Sequence, residues 1–144
     1  EYYSGKERYA EQIDALGVRD DLVLMDRYIS DGDVAKLFSA ADLVVQPYRH
    51  ATQSGVTQIA YWFDVPMVVT GVGGLRELVP VGKVGYVTEP DVAAEIDRFY
   101  REGKAAEFRA NILRFRERFT WERMIGNFRS LYDRIAGTQP GQKR

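Results

Sequence analysis

The stretch QPYRHATQSGVTQIAYWFDVPMVVTGVGGLREL, Gln46 to Leu78, decides how this 144-residue chain folds. Leu43-Val44-Val45 leads into it, and Met67-Val68-Val69 lies inside it. Both are short, continuous apolar runs, as expected of strands buried on both faces of a parallel sheet. Between them lies a polar, Gly-bearing loop, Thr52-Gln53-Ser54-Gly55, followed by a helical stretch from Gly55 to Phe63. The β-branched Val56, Thr57 and Ile59 weaken the helix propensity of that stretch without abolishing it. Pro66 stands where a strand begins and a missing N–H matters least. A second Gly-rich turn, Gly71-Val72-Gly73-Gly74, follows the second strand directly.

The same alternation continues on both sides. Upstream, Tyr9, Ile13 and Leu16 place a helix over 6–16 that Gly17 closes. Leu22-Val23-Leu24-Met25 reads as a strand, and Ser30-Asp31 as the cap of a helix carrying Val34, Leu37 and Phe38 and ending near Ala41. The strand after it is predicted over 42–47. Downstream come a short turn over 75–78, a brief strand over 85–87, and a helix with Ile96, Phe99 and Tyr100 between Asp91 and Gly103. Phe108, Ile112, Phe115 and Phe119 form one amphipathic stripe. Thr120 caps a last helix whose buried side is predicted to be Trp121, Ile125, Phe128, Tyr132 and Ile135. Short loops between alternating strands and helices predict an α/β, Rossmann-like, mostly parallel sheet with flanking helices. The domain is read as 1–136, with 137–144 a flexible tail.

Composition narrows the chemistry. The chain has no cysteine, which excludes disulfides and thiolate metal sites, and its one histidine, His50, makes a zinc centre untenable. No apolar run approaches the roughly 20 residues of a membrane-spanning helix, and no signal peptide is expected. Net charge is −1, but residues 101–144 hold 11 Lys+Arg against 5 Asp+Glu, a surplus of six. Such a surplus is ordinarily a set of solvated helix faces; it also suits peripheral contact with an anionic membrane. The first residue is Glu1 and not Met, which reads as part of something larger.

In parallel sheets of this kind, ligands bind beyond the carboxyl ends of the strands, where loops 28–30, 48–55 and 71–74 should converge. A helix starting at Gly55 leaves its first N–H groups unpaired and turns a partial positive charge toward the loop. Ser54, Gly55 and Val56 therefore suit a diphosphate, although Ser54 is equally a plain helix cap. Gly73 and Gly74 suit a tight turn first and a ligand second. Arg49 and His50 read as exposed loop residues. Walker-type spacing, G-x-G-x-x-G, a Ser/His/Asp triad and an interpretable carboxylate pair are all missing from the sequence, which disfavours triphosphatase, dinucleotide-binding and hydrolase readings.

The ordered motifs resemble a known family. Tyr28-Ile29-Ser30-Asp31, Ala40-Ala41-Asp42-Leu43-Val44-Val45-Gln46-Pro47, Pro66 to Thr70 with Val72-Gly73-Gly74-Leu75 and Glu77, Gly85-Tyr86-Val87 and Phe119-Thr120-Trp121 are similar to segments of the group 1 (GT4-type) retaining glycosyltransferases. The likeness is to the C-terminal half of their two-domain GT-B fold, the nucleotide-sugar-binding domain. The resemblance implies a UDP-, GDP- or ADP-sugar as donor, no other cofactor and no metal. It assigns the diphosphate to the N–H groups of Ser54, Gly55 and Val56 and the base to the backbone around Tyr28 and Ile29. Gln58, next to a family position, reads as a plain helix-surface residue first and a ribose contact second, and Thr52 and Gln53 stand on the loop read as serving the donor sugar. The acceptor, a sugar or lipid-linked sugar, would be held by a separate N-terminal domain, and the enzyme would work in the cytoplasm, at times against the inner face of the membrane.

Two departures from the family pattern stand out. The family carries two glutamates seven residues apart around the first loop; Ala51 and Ile59 occupy those positions here. Their loss leaves room for a non-catalytic nucleotide-sugar-binding or regulatory module. The strands present also align with the third to sixth of the family, so the sheet should lack its first two strands. A fragment of this kind is expected to be inactive alone, and a homo-oligomer is one way to complete its sheet.

Overall fold

The structure is a computed structural model describing residues 6–89 and 91–137. It divides into two compact units, the first reaching Leu37 and the second starting at Phe38. The remaining residues of the predicted tail, 138–144, lie outside the described residues.

In the first unit, helix α1 (Lys6–Leu16) is closed by Gly17 in the left-handed conformation, as its sequence predicts. A 3-10 turn at Arg19–Asp21 follows. Leu22–Met25 is not a strand. A strand needs a neighbour to take its N–H and C=O groups, and none pairs here among the described residues. Leu22 has extended dihedrals, and all four side chains are exposed, Val23 most of all. Ser30 Oγ accepts the Asp33 N–H and caps helix α2 (Asp31–Ala40), where Arg27 reaches Asp33 at 3.1 Å.

The second unit is built on a parallel sheet of order β1-β2-β3: Val44–Gln46, Met67–Thr70 and Gly85–Thr88. Val45 lies opposite Val68, and Val68 opposite Tyr86. The middle strand β2 is fully buried, matching its unbroken apolar run, whereas Val44 and Val45 of the edge strand β1 are only half-buried. Gly85 is fixed by this register: a Cβ there would overlap the Met67 carbonyl oxygen. Helix α3 (Gly55–Trp62) crosses from β1 to β2, and the single turn α4 (Leu75–Leu78) precedes β3.

Helices α5 (Val92–Glu102) and α6 (Ala105–Phe115) complete the layers. Asp91 caps α5 by accepting the Ala93 and Ala94 N–H groups. One core gathers Ala60, Tyr61, Met67, Val69, Leu75 and Ile112; the other packs Val68 and Tyr86 on Phe99 and Phe108. The Tyr86 and Phe108 rings meet edge to face, 5.3 Å between centroids. Burial pushes the Tyr86 phenol up to about 12, helped by its hydrogen bond to Glu102.

Two expectations about the C-terminal part fail. Phe119 does not continue the α6 stripe; the chain tightens into a 3-10 turn, Arg116–Phe119, and carries the ring onto α3, where it meets Tyr61 at 5.0 Å. Helix α7 (Trp121–Ile135) is capped by Thr120 as predicted, but its apolar stripe is not buried. Trp121, Ile125, Phe128, Tyr132 and Ile135 are all exposed. Periodicity placed them correctly on one face, yet no described element packs against that face.

Candidate functional site

The loop between β1 and α3 is held from three sides. At its start, the Thr70 hydroxyl at the end of β2 donates to the Tyr48 carbonyl at 2.6 Å. In its middle, the Gly74 N–H donates to the Thr52 carbonyl at 3.0 Å. Beside it, Gly73 adopts φ +52°, and a Cβ there would overlap the Ala51 carbonyl oxygen. Gly73 and Gly74 thus act through the backbone, setting loop 51–54 in place. At its end, buried Gln46 and Thr57 join β1 to the first turn of α3, amide to hydroxyl at 3.1 Å.

Ser54 opens α3 with extended dihedrals, φ −137° and ψ 122°, but its side chain makes no capping bond. This rules out the plain helix-cap reading of Ser54. Among the described residues, nothing accepts the N–H groups of Ser54, Gly55 or Val56. Gly55 has open space where a Cβ would stand. The three amides form the positive end of an eight-residue helix with no internal partner. Beside them lies a cavity of about 410 Å³ lined by Gln53, Ser54, Gly55, Gln58, Leu78 and Phe119.

Phe119 reaches this cavity because the 3-10 turn redirects it, which helical spacing could not foresee. Below it, Tyr61 donates to the Leu78 carbonyl at 2.6 Å, and burial pushes its phenol up to about 12 against the weaker pull of Arg118. Gln58 is exposed on the rim without a hydrogen-bond partner among the described residues. Thr52 and Gln53 are exposed on the loop, as are Arg49 and His50. Tyr28 and Ile29 precede α2 in the first unit, with Tyr28 largely exposed. Within the second unit, the predicted loops 48–55 and 71–74 come together.

Ala51 and Ile59 are half-buried, Ala51 packed against the core below the loop. No group of three or more His, Asp or Glu side chains suited to a metal occurs among the described residues. No helix among them is long and apolar enough to cross a membrane.

Comparison with known proteins places this arrangement. The profile of the family described as "Glycosyl transferases group 1" matches residues 3–101, and the chain belongs to that family. Three solved structures share its fold. Anabaena Alr3699/HepE in complex with UDP-glucose is 23% identical over 78% of this chain and 32% of that chain, with a TM-score of 0.69. Sucrose-phosphate synthase from Thermosynechococcus elongatus is 23% identical over 92% of this chain and 35% of its own, at 0.71. The pneumococcal O-GlcNAc transferase GtfA in complex with UDP and GlcNAc is 16% identical over 92% and 28%, at 0.65. The chain thus spans about a third of the solved proteins it resembles. The parallel α/β fold expected from the GT-B resemblance is the fold found. No curated protein sequence matches the chain.

Proposed function

From this chain's place among the group 1 glycosyltransferases, we propose that it is the donor-binding domain of an enzyme that moves a sugar from a nucleoside diphosphate sugar to an acceptor with retention. The observation that carries this reading is the set of unaccepted N–H groups at Ser54, Gly55 and Val56 beside an open cavity. A diphosphate seated there accepts hydrogen bonds from amides that have no other acceptor. As the bond to the anomeric carbon breaks, negative charge grows on the departing diphosphate. The same amides and the α3 dipole stabilise that charge without reorganising.

Gln58, one turn into α3, supports a ribose contact, and Thr52 and Gln53 are placed on the loop that would face the donor sugar. Tyr28 and Ile29 are assigned to the base by resemblance. The acceptor belongs to the remainder of a longer protein, working in the cytoplasm and reaching the membrane only at its periphery.

A second reading is favoured by one observation. Ala51 and Ile59 put two non-ionisable side chains where the family has its acidic pair. On that reading the domain is a non-catalytic nucleotide-sugar-binding module. Calorimetry of the full-length protein with UDP, GDP and ADP, followed by turnover assays with the sugar derivative of whichever binds, separates the two. Binding with turnover supports the enzyme, and binding without turnover the module. Failure of all three nucleotides to bind removes both.

A further inference from the structure

Beyond the diphosphate cavity, and sharing Gln58 and Phe119 with it, lies a larger one of about 710 Å³. The sequence contains two tryptophans, and both line this cavity. Trp62 ends α3 and is 75% exposed; Trp121 begins α7 and is 73% exposed. Tryptophan is usually well buried, so two open indoles at one cavity call for an occupant.

Their backbones are held. Arg116 donates to the Asp64 carboxylate at 2.8 Å and to the Trp62 carbonyl at 3.4 Å, pinning the end of α3. Thr120 Oγ1 accepts the Arg123 N–H and pins the start of α7. Tyr61 and Phe119, packed together, supply further aromatic surface. Among the described residues, Gln58 and Glu122 have no hydrogen-bond partner, and both line the cavity. Arg116 is already paired, which argues against an anionic occupant, and the free Glu122 carboxylate argues against both an anion and a purely apolar one.

We propose that this aromatic cavity is a saccharide site that holds a pyranose unit beside the cavity at the start of α3; this site does not rest on the glycosyltransferase reading above. A pyranose ring has faces of weakly positive C–H groups, which settle on the negative face of an indole. Its rim of hydroxyls donates to the Glu122 carboxylate and bonds the Gln58 amide in both senses. The volume lies within the ordinary range of small-molecule sites.

The test uses the full-length protein and the methyl α-glycosides of glucose, galactose, mannose and N-acetylglucosamine. At least one of them is expected to change tryptophan emission saturably, with a Kd in the millimolar range (about −4 kcal/mol). The change should vanish in the Trp62→Ala, Trp121→Ala double variant. In Glu122→Gln, which keeps both indoles, the Kd should rise about tenfold. Calorimetric UDP affinity should stay unchanged in all these variants. If no glycoside alters the emission, or if the double variant responds like wild type, the proposal is overturned. It is also overturned if acrylamide fails to quench these two indoles, since another part of the protein then covers them. Loss of UDP binding with glycoside binding intact would remove the donor assignment and leave the saccharide site standing.

Discussion

The Thr57 hydroxyl lies 3.1 Å from the Gln46 amide nitrogen and 3.2 Å from its oxygen, in a fully buried contact between the last residue of β1 and the first turn of α3. It can accept from one and donate to the other, which leaves neither side chain unsatisfied. Thr57→Val keeps the shape and removes the partner, so the Gln46 amide is buried with its desolvation uncompensated. The expected loss is about 1–3 kcal/mol in denaturant unfolding. Adding Gln46→Leu should recover part of it, because two apolar groups in contact need no hydrogen bond. A double variant that costs the sum of the two single changes would show that the pair is not coupled.

Gly73 sets the loop from outside it. Gly73→Ala meets two obstacles, a left-handed φ of +52° and an overlap with the Ala51 carbonyl oxygen. Loop 51–54 must move to relieve the overlap, and the N-terminus of α3 moves with it. UDP affinity in the full-length protein should fall at least tenfold in calorimetry, accompanied by about 1–3 kcal/mol of destabilisation. Gly32→Ala, on α2 with open space at its Cβ, is the matched control and should change neither quantity measurably.

These two relationships mark how far the sequence is legible. Caps and punctuation read well: Gly17, Ser30, Asp91, Gly103 and Thr120 stand at helix ends as their chemistry demands. The apolar run 67–69 gave a buried central strand, and Ser54-Gly55 the start of a helix with unpaired amides. Leu22–Met25 failed because strand propensity says nothing about whether a neighbour exists. The α7 stripe failed for a related reason: periodicity defines a face, not what covers it. Gln46 with Thr57 was missed, although a polar residue ending an apolar run is a visible cue. Phe119 was misplaced because one 3-10 turn breaks the helical register.

Acid should expose a cluster remote from the site. Glu102 accepts from Arg98 at 2.7 Å, from the Tyr86 hydroxyl at 2.7 Å and from Lys104 at 3.0 Å. The Arg98 bond first, then the Tyr86 and Lys104 bonds, hold its carboxyl down at about 2, from an ordinary 4.5. A depressed carboxyl stabilises the folded chain fully above its unfolded value, and that stabilisation is lost as pH falls from about 4.5 toward 2. Glu102→Gln removes the titration. In thermal unfolding across that window, the wild-type advantage over the variant should shrink as acid is added. A gap that stays constant with pH would mean that Glu102 contributes no titrating interaction.

Gly55 gives the sharpest check on the diphosphate assignment, because its Cβ direction is empty. Gly55→Ala adds only a methyl group, at a helix start where alanine is well tolerated, so the fold should keep its stability within about 0.5 kcal/mol. Yet the methyl stands where phosphate oxygens must approach the amides, and UDP affinity should fall about tenfold. Gly55→Asp starts its side chain in the same open space and adds a negative charge, so binding should drop below detection while circular dichroism and Tm remain near wild type. The two variants separate sterics from charge at one backbone position. If both bind UDP as tightly as the parent protein, the diphosphate does not sit on the α3 amides, whatever else this domain holds.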